Sequence, residues 1–185
     1  AIFDNNPVIS FEHRWLFKQT GEVSNSKNVS MSNSVIRKSG GDVTIVAVSW
    51  MNDLALKVAE AMKDLGGDVE VIDPLTISPM DTATITTSVK KTGRCLIADY
   101  DWMPMSTSSE ICSVVQYECF HYLKKPVERE GFFFSPCPTS RSLENHYYPS
   151  VSRLLRTVAN LVDIDTGPLL QDDTDIKKKP FDGAF

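Results

Sequence analysis

The chain has 185 residues, 42% hydrophobic and 23% charged, enough for one ordinary domain with its own core plus tails. Its formal net charge of −5 disfavours a nucleic-acid or anionic-membrane surface, because both need a basic face. It contains no apolar run of the ~18 residues that a membrane span needs, and its four cysteines (Cys95, Cys112, Cys119, Cys137) include no CxxC pair and are too scattered for a disulfide framework, so a reducing, cytoplasmic compartment is expected.

The chain opens without the basic and apolar regions of a signal peptide, and none is expected. Pro7 to His13 reads as one short strand. A lone strand cannot bury itself, and the polar stretch Ser24 to Ser34 follows it. Residues 1–20 therefore read as the last strand of a missing domain, 21–40 as a linker, 41–165 as the domain proper and 166–185 as a polar tail.

Val43 to Ser49 is a near-continuous apolar run, as in a strand covered on both faces. Asn52 or Asp53 can cap a helix bearing Leu54, Val58, Met62 and Leu65, and Gly66-Gly67 ends it. Val69 to Asp73 is a second strand. Asp81 caps a helix over Thr82 to Lys91, with Gly93 as the stop, and Arg94 to Asp99 is a third strand. Thr107-Ser108-Ser109-Glu110 has the spacing of a capping box and opens a helix with Ile111, Val114, Val115, Glu118 or Cys119, and Tyr122 along one side. Pro126 to Glu130 reads as a fourth, edge strand, and Phe132 to Phe134 as its continuation or a buried corner. Pro149 starts a final helix with Val151, Leu154, Leu155 and Val158 at helical spacing. Four strand–helix alternations predict an α/β fold: three layers around a mostly parallel, doubly wound sheet.

In such a sheet ligands bind beyond the carboxyl ends of the strands. The loops there carry no GxGxxG or GxxxxGK[ST], so no phosphate cradle is encoded. The histidines His13, His121 and His146 are far apart, which argues against zinc. Cys112 and Cys119 lie seven apart on one helical face, as core residues do. Asp99, Asp101 and Glu110 read either as a polar cluster facing a neighbour or as capping and solvation. No Gly-Asp-Gly precedes the one Asn-Asn pair, Asn5-Asn6.

Several strings fall in register with a known family. Gly41 to Ala47, Glu70 to Thr76 with Pro79-Met80-Asp81, Ser88 to Arg94, Ser109-Glu110-Ile111 and Lys125 to Arg129 resemble successive elements of the transketolase-type C-terminal domain. Asp4 to Trp15 resembles the last strand of the pyrimidine-binding domain that precedes it. The resemblance runs from residue 4 to 162 and is to beta subunits of thiamine-diphosphate-dependent 2-oxoacid dehydrogenases of the pyruvate and branched-chain type. It departs at Asp99 to Ser106, where relatives carry a glutamate and a glycine pair and this chain has no glycine.

The resemblance implies oxidative decarboxylation of a 2-oxoacid by the parent enzyme, with acyl transfer to a lipoyl arm. Thiamine diphosphate and magnesium would be held by parts absent here, and no cofactor, metal or catalytic residue is expected on this chain. The implied role is assembly: beta-subunit self-association and docking to an alpha subunit and a lipoyl acyltransferase core. A stand-alone binding module derived from the family is the alternative. Trp50, Tyr100, Trp102 and Tyr148, with Asp101 and Glu110, are the candidate interface residues. Glu12 and His13 are candidate inter-domain residues.

Overall fold

The computed structural model describes residues 4–10, 13, 16–17, 20–21 and 32–167. In chain order the elements are β1 (Val35–Lys38), β2 (Val43–Ala47), α1 (Met51–Asp64), β3 (Val69–Asp73), α2 (Thr82–Thr92), β4 (Cys95–Trp102), α3 (Thr107–Cys119), β5 (Glu128–Phe132), α4 (Arg141–Tyr147) and α5 (Val151–Val162). They form one sheet of order β1-β3-β2-β4-β5, in which β3, β2, β4 and β5 run parallel and β1 is antiparallel to β3.

Period-two alternation along β4 divides the core. Leu96 and Ala98 face the layer of α1 and α5, packing with Ile45, Val58, Met62, Leu154 and Val158. Cys95 and Ile97 face the layer of α2 and α3, packing with Val46, Ile85, Val89, Ile111 and Cys119. Every residue of β2 is buried, which is why that strand reads as an unbroken apolar run. Each such aliphatic side chain contributes about 1.5–3 kcal/mol through burial. The three-layer, mostly parallel, doubly wound architecture expected from the alternation is the one observed.

Local differences have identifiable causes. Residues 7–10 form no strand, so the strand expected over Pro7 to His13 does not form at its described positions, and Glu12 lies outside the described residues. The span read as linker supplies β1 instead, held to the sheet edge by Arg37, whose Nη2 donates to Asp73 Oδ2 at 2.7 Å. Ser34 N–H adds a bond to Asp81 Oδ2 at 2.8 Å. Arg37 and Lys38 disguise β1, because an edge strand lacks the buried pattern of a central one.

The helix α1 begins at Met51, and neither Asn52 nor Asp53 caps it. The Asn52 amide points back and donates to the Ala47 carbonyl at 2.7 Å. Asp81 does cap α2, accepting from Thr84 N–H, and Gly93 closes it with a left-handed φ of +72°. A Cβ on Gly93 would lie 2.9 Å from the Tyr122 carbonyl. The capping box expected at Thr107 is not used. Ser106 is the N-cap and makes no side-chain capping bond, while Asp99, reaching from β4, accepts from Ser108 N–H at 3.0 Å. The helix α4 has no counterpart in the periodicity, and α5 starts two residues after Pro149, capped by Ser150 on Arg153 N–H.

At the amino ends of β2 and β3 lies a buried polar network. The Thr44 hydroxyl is 2.7 Å from that of Ser88 and 2.9 Å from that of Thr92. Ser88 and Lys91 donate to the Glu70 carboxylate, which also accepts from Gly40 N–H at 3.2 Å. Burial alone would raise the pKa of Glu70. The bonds from Lys91, Ser88 and Gly40 outweigh it and hold the carboxyl below its usual range.

Candidate functional site

The carboxyl ends of the strands are built differently. The corner after β2 places Ser49 at φ +57°, the one after β3 places Leu75 at φ +55°, and the one after β4 places Met105 at φ +57°. None is a glycine, and a left-handed residue with a Cβ costs about 1–2 kcal/mol. Such strain collects where a loop must be aimed. Met105, in the loop between β4 and α3, is fully exposed. Its loop is pinned through the Met103 carbonyl, which accepts from Ser106 Oγ, Ser109 Oγ and Arg129 Nη1 at 3.0–3.1 Å.

Between Ala98 and Trp102 the β4–β5 register shifts, so β4 swells as it leaves the sheet. The swelling brings backbone close to Gly131 of β5: a Cβ there would lie 2.7 Å from the Asp101 carbonyl. It also aims Tyr100 and Trp102 into a cluster of rings. Tyr100 meets Phe132 edge-on with centroids 4.6 Å apart and lies nearly parallel to Tyr148 at 6.0 Å. Tyr147 and Phe132 are 5.2 Å apart, and Trp102 Nε1 donates to the Tyr147 hydroxyl at 2.8 Å. On the other side His13 lies parallel to Trp50 at 5.7 Å and edge-on to Tyr100 at 4.9 Å.

Of the residues singled out from the sequence, Trp50, Tyr100, Trp102, Tyr148 and His13 therefore converge. Trp50, Tyr100 and Tyr148 are half-buried rather than exposed anchors, and Trp102 is 43% exposed. Asp101 and Glu110 are exposed, and Asp101 accepts from the N–H of Trp102 at 2.7 Å. Asp99 turns inward, so the three acids do not form one cluster. Phe132, Phe134 and Tyr147 complete the ring set. The run of three phenylalanines and the Tyr147-Tyr148 pair were their only signal in the sequence.

The electrostatics are those of an apolar surface. Burial raises the Asp99 carboxyl, with Asp101 adding to the rise and the Ser108 N–H opposing it. Burial likewise raises the Tyr100 phenol, and the hydrogen bond to Cys137 is the main cause of the rise at Tyr148. Thiamine diphosphate with magnesium needs oxygen ligands and a phosphate cradle. At these loops Asp99 is bonded to Ser108 and Asp73 to Arg37, and rings fill the space between β2, β4 and β5. Among the described residues no group of three or more His, Cys, Asp or Glu is placed to hold a metal. The residues present do not fit that cofactor. What the ends of the strands offer is an aromatic surface with Trp102, Phe134 and Met105 facing solvent.

Comparison with known proteins defines the class. The transketolase C-terminal domain family matches residues 32–154, and the chain belongs to that family. Within it the chain is similar to pyruvate dehydrogenase E1 component subunit beta: 37% identical to that of Leifsonia xyli over 159 residues, covering 85% of this chain and 47% of that protein. The mitochondrial pyruvate dehydrogenase E1 component subunit beta-1 of Arabidopsis thaliana is 35% identical, covering 84% and 44%. The acetoin:2,6-dichlorophenolindophenol oxidoreductase subunit beta of Bacillus subtilis is 32% identical, covering 88% and 48%. The chain spans about half the length of these relatives. A solved structure described as a split gene transketolase, inactive beta4 tetramer, has the same fold, with a TM-score of 0.62 at 21% identity over 77% of this chain and 45% of that one.

Proposed function

We propose that this chain is the assembly domain of the beta subunit of a thiamine-diphosphate-dependent 2-oxoacid dehydrogenase. The parent enzyme decarboxylates a 2-oxoacid oxidatively and passes the acyl group to a lipoyl arm. This domain supplies contacts and no catalytic group, and its partners are a second beta subunit, an alpha subunit and the lipoyl acyltransferase core. In this reading residues 1–20 end an upstream domain, 21–40 connect it and contribute β1, 41–165 are the assembly domain and 166–185 a tail, in a cytoplasmic protein. The observation that carries it is the family match over residues 32–154, joined to beta-subunit relatives of which the chain spans half. Apolar side chains facing solvent support it: Tyr117, Phe120 and Tyr122 around the end of α3, and Phe133 and Phe134 after β5.

The direct test is light scattering of the full chain across concentration. Self-association is expected, and a monomer at every concentration overturns it. Calorimetry with thiamine diphosphate and magnesium is expected to show no binding, and a saturable isotherm would refute the non-catalytic reading. One observation favours the alternative of a stand-alone module: the rebuilt β4–α3 corner with Met105 at φ +57°. An immunoblot of the source cells separates the two. A band larger than this chain places it in a full beta subunit, and a band of its own size makes it independent.

A further inference from the structure

His13 lies upstream of the matched domain, yet its ring is held between two of the domain's own aromatics, Trp50 after β2 and Tyr100 on β4. The Leu16 N–H donates to the His13 carbonyl at 3.0 Å. Its Nδ1 is buried and makes no hydrogen bond among the described residues. We propose that the Trp50–Tyr100 pair is a seat for the His13 imidazole, forming a clasp that joins the upstream segment to the domain when the imidazole is neutral and loosens when it is protonated.

Magnitudes decide the direction. An imidazolium over a ring gains about 0.5–1 kcal/mol at an exposed site, and the 5.7 Å separation from Trp50 is at the far end of that range. A second N–H placed in a buried position without an acceptor costs about 1–3 kcal/mol, more when charged. The neutral form therefore wins, and burial lowers the His13 pKa accordingly. The neighbouring elements do not reverse this. On α1 Asp53 pairs with Lys57. On β4 Asp99 accepts from Ser108, Asp101 accepts from Trp102, and Tyr100 is a phenol whose pKa is raised. Glu144 of α4 acts on Tyr100 and Tyr148. Among the described residues burial is the cause that lowers the His13 pKa. The sign follows: above the ordinary imidazole value of about 6.5 the clasp is complete, and it weakens as pH falls through that value, because the released chain takes up a proton that the seated ring resists.

The clasp lies within one chain, so the inference goes beyond the assembly reading and its test needs no partner. The full chain and its His13→Phe variant are compared from about pH 7.5 to about pH 5 by tryptophan near-UV circular dichroism and by proton NMR of the imidazoles. The wild-type signal is expected to fall as pH drops, with the one imidazole resonance missing from the variant titrating below the ordinary value. The variant, whose phenyl ring fills the seat and takes no proton, should show no such fall. Trp50→Ala should return the His13 midpoint toward the ordinary value. Identical pH profiles for wild type and His13→Phe, or a His13 midpoint at or above the ordinary value, overturn the clasp. Failure to self-associate leaves it standing.

Discussion

The two ends of the sheet are closed in opposite ways. At the amino ends Thr44, Glu70, Ser88, Lys91 and Thr92 form one hydrogen-bonded group. At the carboxyl ends Tyr100, Phe132, Tyr147 and Tyr148 pack ring on ring, His13 links Tyr100 to Trp50, and the corners beneath them are held in left-handed conformations without glycine. Hydrogen bonds between buried groups accept one geometry and penalise any other. Ring contacts tolerate several geometries at similar energy. The amino end thus tolerates little change in geometry, and the carboxyl end tolerates more.

The comparison is broken most severely by Glu70→Leu. It leaves Ser88, Lys91 and Gly40 N–H without their acceptor and should cost about 3 kcal/mol in urea unfolding. The isosteric Glu70→Gln sharpens the point through pH. Because the folded Glu70 pKa is depressed, its contribution is complete above the unfolded value of about 4.3 and is lost as pH falls through the folded value. The wild type should lose that stability in acid, and Glu70→Gln should show a flatter acid limb. Next in size is Gly131→Ala at the other end. Its methyl group meets the Asp101 carbonyl and should cost about 2 kcal/mol, read as a lowered denaturant midpoint. Met105→Gly relieves the left-handed corner and should raise stability by about 1 kcal/mol. The smallest effect belongs to Asp99→Asn. The folded Asp99 pKa is raised, so the wild type loses stability as pH rises through the range between the unfolded and folded values. The amide keeps the acceptor for Ser108 without the charge, so Asp99→Asn should be slightly more stable than the wild type at pH 7 and less stable relative to it at low pH.

Elements with two buried faces or a strong cap were legible in the sequence. The apolar run of β2, the Asp81 cap and Gly93 stop of α2, and the apolar stripe of α5 all stand where their patterns put them. The six strings in register identified the family, which the match over residues 32–154 bears out. Elements that depend on distant partners were not legible. β1 carries two charges and is mostly exposed, and only its pairing with β3 and the Arg37–Asp73 ion pair make it a strand. The start of α3 borrows its acceptor from Asp99, nine residues upstream, which made the local box at Thr107 and Glu110 misleading. At the candidate site, Tyr100, Trp102 and Tyr148 could be named as aromatics, but their convergence depends on the β4 swelling opposite Gly131. A register shift leaves little trace in composition.

The antiparallel strand β1 also bears on where this domain can be cut. It shields the β3 edge with backbone bonds at Val35, Ile36 and Lys38, leaving charged β5, with Glu128, Arg129 and Glu130, as the other edge. A fragment beginning at Gly41 would keep the whole buried core and still bare the β3 edge, whose strand, Val69–Asp73, is mostly apolar. Such an edge is a template for growth. That fragment should express as a folded protein and then precipitate, while one beginning at Ser32 stays in solution.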